Sequence, residues 1–162
     1  MGLSRCCSEP AAWGRWAGLA CGLALLAVNV RGTEPDPTTG IAVVVGSTSP
    51  VRSVNVDELR ELYLRRRRVW PDGSPAVPVN LPADNAMRIA FSRRVLGRSP
   101  VELESYWRGL YLEGLRPPLV LRTGQAVCAY VAVEASAIGY LRRDEIDPSA
   151  CRVVFALSEG GN

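Results

Sequence analysis

Three observations in the sequence predict an α/β layer fold. Short apolar runs bounded by Gly, Pro or Ser alternate with segments of helical periodicity. Several of those helical segments open on capping signatures. The chain has 162 residues, enough for one ordinary domain with a hydrophobic core and too few for two.

The domain is expected over residues 41–158, with a short tail at 159–162. It opens on IAVVVG, residues 41–46, a continuous apolar run that suits a strand buried on both faces, as in a parallel sheet covered by helices. A helix follows in NVDELRELYLRRRR. Asn55 and Glu58 are spaced as a capping box, Val54 and Leu59 as a hydrophobic staple. Val56, Leu59, Leu62 and Tyr63 form its apolar stripe. Arg65–Arg68 then sit near its C-terminal end, where the helix dipole favours positive charge. A solvated, dipole-matched helix end is the preferred reading of this run, with an anion site as the alternative. Trp70-Pro71-Asp72-Gly73 is a turn with Trp70 beneath it.

PAVPVN, residues 75–80, is a second short strand, which its prolines place at an edge or limit to a few residues. Asp84 or Asn85 caps a helix running to Leu96 and stopping at Gly97. Ser99, Pro100 and Glu102 open another with a capping box and Pro at N1. Its Leu103, Tyr106, Trp107, Leu110 and Tyr111 read as a core-facing aromatic face. Pro117-Pro118 precedes a short strand in LVLR, and Thr123 caps a last helix with Ala126, Val127, Tyr130 and Val131 on one side. SAIGYL and CRVVFAL, residues 136–141 and 151–157, are the remaining strands.

Residues 1–32 stand apart from this domain. Arg5 and Arg15 precede the apolar run WAGLACGLALLAVNV, Trp16–Val30, and the polar stretch from Arg31 follows, which is the layout of a secretory signal peptide. The run of 15 residues is shorter than the roughly 20 of a transmembrane helix. Cleavage after Gly32 would leave residues 33–40, TEPDPTTG, as a linker and no membrane span. An uncleaved anchor is the alternative. The expected location is periplasmic or extracellular.

Residue types narrow the chemistry. All 19 basic residues are Arg, and there is neither Lys nor His. No serine sits on a nucleophile elbow, and the carboxylates fall mostly in first helical turns, where capping accounts for them. No enzyme activity, metal or cofactor is expected. Removing residues 1–32 takes three of the 19 basic and one of the 16 acidic residues, leaving a net charge of about +1, so no nucleic-acid partner is expected either. Cys128 and Cys151 are the two cysteines outside the leader. In an oxidising compartment they invite one disulfide, with two buried thiols as the alternative.

Four pieces in order carry a family resemblance: IAVVVG with Pro50, then VDELRELYLRRRRVWPDGSPAVPV, then Arg88 and Phe91 leading to VLG, and finally AIGYL. Over residues 41–155 they resemble the phosphate-binding type of periplasmic solute-binding protein. The resemblance implies an α/β fold, one lobe of a type II periplasmic-binding-protein-like fold with a mixed sheet flanked by helices, in the small single-lobe branch of that family. It also implies a ligand loop at residues 81–88, LPADNAMR. The family pattern runs Arg, two or three variable residues, then Ser-Gly-Thr-Arg and a Phe three positions on. With Arg88 and Phe91 aligned, Leu81 falls where the anion-binding Arg belongs, Asn85 at the Ser, Ala86 at the Gly and Met87 at the Thr. Asn85, Ala86, Met87 and Arg88 are thus the candidate ligand-binding residues. Asp84 adds negative charge at the same helix terminus, which suits capping and repels phosphate. The expectation is a capped helix with a degraded anion loop. The expected function is an exported, non-enzymatic solute-binding-protein-like domain that binds a small phosphate-like anion weakly. The alternative is an interaction domain that has lost its ligand and holds a protein partner in the cell envelope.

Overall fold

The computed structural model describes residues 40–157. The chain divides into units 1–32 and 33–162, and every described residue belongs to the second. The leader and its cleavage, the linker up to Thr39 and the tail lie outside the described residues.

Five strands form one mixed sheet in the order β3-β2-β4-β1-β5. They are β1 (Ile41–Gly46), β2 (Val77–Asn80), β3 (Leu119–Val120), β4 (Ala137–Arg142) and β5 (Cys151–Ala156). β2 runs parallel to β3 and β4, while β1 is antiparallel to both β4 and β5. The expected parallel setting of β1 is therefore corrected. Burial on both faces makes a strand apolar throughout, and it does so whichever way the neighbours run.

The two faces of β1 and β4 differ in size, and that difference sorts the helices. Register pairs Val44 with Gly139 and Val43 with Tyr140, so Ala42, Val44, Gly46 and Gly139 share one face while Val43, Val45, Ile138 and Tyr140 share the other. On the small face lies α4 (Gly124–Val133). A Cβ at Gly46 would collide with the Val131 carbonyl, and one at Gly139 with Val127, so these glycines set how closely α4 packs. The expected stripe of α4 is adjusted: Gly124, Val127, Cys128 and Val131 are buried, while Ala126 and Tyr130 are half-buried.

The large face receives α1 (Val56–Tyr63) and α2 (Ala86–Phe91). Tyr63, Phe91 and Tyr140 cluster there, with the Phe91 and Tyr140 rings stacked at 4.0 Å and Tyr63 tilted 4.8 Å from Phe91. The Tyr63 hydroxyl is shared between the Val79 and Ile138 carbonyls, at 3.1 and 3.3 Å. Burial raises its pKa well above the ordinary phenol value. The capping box of α1 is present as the spacing predicts, with Asn55 and Glu58 bonding each other's backbone at 2.9 and 3.0 Å. The helix ends one turn early. Arg65 takes a left-handed φ of 58°, and the amides of Arg65 and Arg66 reach back to Leu62 and Glu61, the Schellman pattern with Arg where Gly is usual. Arg65 then donates to the Ala76 carbonyl, and Arg66 and Arg67 pair with Glu61 and Glu58. Trp70 is buried beneath its turn and donates from Nε1 to the Ser136 carbonyl at 2.9 Å.

Three further expectations are revised. β2 has few residues, as its prolines require, yet it lies inside the sheet because the two-residue β3 flanks it. The helix expected to reach Leu96 unbroken passes at Ser92 into a π turn, Ser92–Leu96, before Gly97 stops it in the left-handed region. The Val95 carbonyl in that turn is satisfied by Arg60 at 3.1 Å. The third revision concerns α3 (Pro100–Leu112), which has the expected Ser99–Glu102 capping box. It buries only Leu103, leaving Tyr106 and Trp107 half-covered and Tyr111 exposed, so its aromatic face is not core.

Cys128 on α4 and Cys151 at the start of β5 form a disulfide, with Cα atoms 5.7 Å apart across 23 residues of sequence. It pins α4 to the sheet across the loop that carries residues 143–150. Replacing both cysteines with Ala should lower the unfolding free energy by roughly 3 kcal/mol, chiefly by loosening the unfolded chain. Urea denaturation of oxidised wild type and the double variant measures this, and equal stability would show that the closed loop contributes nothing.

Candidate functional site

The three parallel strands β2, β4 and β3 end on the same edge of the sheet, which in open α/β sheets is where ligands are held. Two of them turn directly into helices. β2 leads through Leu81 into α2, and β3 leads through Arg122 into α4. A cleft of about 630 Å³ opens there, lined by the first turns of α2 and α4 and by Arg142–Glu145 at and beyond the end of β4.

The α2 wall carries the residues singled out in the sequence. Asn85, not Asp84, is the cap: its Oδ1 accepts the Met87 N–H at 2.9 Å and the Arg88 N–H at 3.4 Å. Asn85, Ala86 and Met87 line the cleft, though Met87 is largely buried. Arg88 does not. Its guanidinium turns back to donate to the Leu81 carbonyl at 2.7 Å. Beneath the loop, the Tyr140 hydroxyl donates to Asn80 Oδ1 at 2.9 Å and accepts the Leu81 N–H at 3.5 Å. Burial pushes the Tyr140 pKa upward, and the Leu81 amide and Arg88 charge offset part of that rise.

The α4 wall was not singled out from sequence. Thr123 Oγ1 caps the helix by accepting the Ala126 N–H at 3.1 Å. Gly124, the first residue of α4, is buried against the Glu145 carboxylate, and a Cβ at Gly124 would collide with it. Glu145 is 18% exposed, and its Oε2 accepts the Arg142 N–H at 3.1 Å. The Arg142 side chain pairs with Asp144 at 3.1 Å and lies 3.9 Å from Glu145. A carboxylate thus sits against the positive end of α4, a placement the helix dipole favours. Arg122 and Arg143 stand exposed on the rim with no ion pair among the described residues. One signal in the sequence could have marked this wall. LVLRTG repeats the strand-into-capped-helix arrangement of VNLPADN.

Both helix starts are therefore capped by acceptors of the chain itself, Asn85 at one and Thr123 at the other, with the Glu145 carboxylate packed beside Gly124. Among the described residues no cluster of His, Cys, Asp or Glu could hold a metal ion, and no helix is long and apolar enough to cross a membrane.

The sequence matches no protein-family model and no curated protein. Solved structures do match its fold. An ABC-type phosphate transport receptor from Vibrio cholerae superposes with a TM-score of 0.56 at 18% identity, over 71% of this chain and 45% of the receptor. A phosphate-bound structure from Clostridium perfringens, described as that of a phosphate ABC transporter substrate-binding protein, gives 0.56 at 20% identity, over 68% of this chain and 42% of that one. The chain spans less than half the length of either protein. Its mixed, helix-flanked sheet has the fold of a single lobe of a type II periplasmic-binding-like protein.

Proposed function

We propose that the chain is an exported, non-enzymatic solute-binding-type lobe whose cleft holds small anions only weakly. The observation that carries this reading is the cleft at the ends of three parallel strands with both of its helix starts already capped from within. The fold likeness to phosphate receptors supports the binding class. The leader-like layout of residues 1–32 supports export, with the mature part beginning at Thr33 and its domain over 41–158. The weakness follows from the chemistry of the loop. Position 81 carries a buried Leu, Ala86 and Met87 offer no hydroxyl, Asn85 spends its oxygen on its own helix, and Arg88 faces Leu81. Across the cleft, Glu145 sets negative charge where an anion would approach α4. Exposed Arg122 and Arg143 remain to attract one. An envelope protein is the second reading of what this lobe binds, and helix starts already capped from within favour it.

Calorimetric titration of the purified protein with inorganic phosphate should give a dissociation constant on the order of millimolar or weaker. Submicromolar affinity would sink this reading. Glu145→Gln should strengthen phosphate binding by about fivefold, since a like charge a few Å away costs roughly 1 kcal/mol in water. Unchanged affinity in that variant would remove Glu145 from the account.

Export is read at the N-terminus. Protein recovered from the cell envelope should begin near Thr33 by N-terminal sequencing. A start at Met1 in a membrane fraction would establish an anchor instead.

A further inference from the structure

We infer that the outward face of α3 is a self-association surface, on which a second copy of this chain packs its own α3 antiparallel about a two-fold axis. This inference rests on α3 alone and is independent of the cleft. The inner side of the helix is held by Leu103, which is buried, and by Tyr106, whose hydroxyl donates to the Leu64 carbonyl at 2.7 Å. Half a turn away, Val101, Ser105, Arg108 and Leu112 follow one another at helical spacing along the middle of the open face. Val101 is 73% exposed and Leu112 91%. Each stands clear of the chain's own core, one at either end of the stripe, with the Glu104–Arg108 pair between them.

The pattern of the stripe says what the cover is. A closed two-fold contact needs a patch complementary to itself. An antiparallel two-fold centred between Tyr106 and Trp107 places Val101 opposite Leu112 of the second copy, at both ends at once. The same operation places Arg108 opposite Ser105 of the second copy and beside its Glu104. Glu104 and Arg108 pair at 2.7 Å within one helix, and both side chains are mostly exposed, so the two pairs merge into one four-charge cluster of alternating sign. Ser105 and Gly109 keep the approach open, and nothing lies within 4 Å of where a Gly109 side chain would start. A parallel arrangement would set Arg108 against Arg108 and Glu104 against Glu104, which opposes it. The stripe is about 17 Å long at 1.5 Å per residue. One helix pair of that length buries less than the roughly 1,200 Å² of a standard stable interface. The dimer is therefore transient, with a dissociation constant on the order of 100 μM.

Sedimentation velocity of the protein purified from full-chain expression, from about 10 μM to about 1 mM, reads this directly. The expected result is a concentration-dependent dimer. Leu112→Glu and Glu104→Arg should each weaken it at least about tenfold, with unchanged far-UV circular dichroism because both positions lie on the surface. Glu104→Arg combined with Arg108→Glu keeps the self-complementary charge pattern in reversed order and should restore association to within about threefold. A monomer throughout the range would overturn the inference. So would association indifferent to both single substitutions, or a double variant no better than Glu104→Arg alone.

Discussion

Tyr140 is the side chain on which the two ends of this structure depend. Its ring completes the aromatic cluster with Tyr63 and Phe91 on the large face of the sheet, and its hydroxyl lies under the end of β2. A phenol hydroxyl buried without partners costs on the order of 1–3 kcal/mol. Here it has Asn80 and the Leu81 amide, so burying the ring and fixing the loop are one event. Asn80 is itself buried, and its backbone carbonyl accepts the Leu121 N–H at 2.8 Å. The place where β2 turns into α2 and the place where β3 leads toward α4 are thereby tied through one residue. Both cleft walls are thus anchored to the packed core beneath them.

The opposite face obeys a different constraint. On the face toward α4, Gly46 and Gly139 leave out the side chains that would collide with Val131 and Val127, so the helix seats close to the sheet there and the disulfide can span from Cys128 to the first residue of β5. That close seat also decides what stands at the start of α4. With Gly at 124 there is room for the Glu145 carboxylate. A larger residue there would expel it.

Local signals in this chain were legible and distant ones were not. The starts of α1, α3 and α4 were readable because a cap involves residues within one turn: Asn55 with Glu58, Ser99 with Glu102, Thr123 with the Ala126 amide. The Cys128–Cys151 bridge was readable because elimination left two cysteines. The direction of β1 was not, since IAVVVG records only that both faces are covered. The exposure of α3 was not, because periodicity defines a face without saying what lies over it. At α2 the cap was legible and the inward turn of Arg88 was not. Glu145 escaped for the same reason: it meets Gly124 through the fold, 21 positions away in sequence.

The charge pattern of the cleft turns on depth more than on sum. Arg122, Arg142 and Arg143 outnumber Asp144 and Glu145 along its lining, and two helix starts each add roughly half a positive charge. By count the lining is positive. Yet the unpaired guanidinium groups are the exposed ones, where water and salt screen them within about 10 Å. The most sheltered charge is the Glu145 carboxylate, where screening is least and repulsion strongest. Arg142, placed to offset it, is shared with Asp144. On the proposed reading, an anion would be attracted by the exposed Arg122 and Arg143 and opposed by the sheltered Glu145, so whatever it gained from the exposed pair would fall away as ionic strength rises.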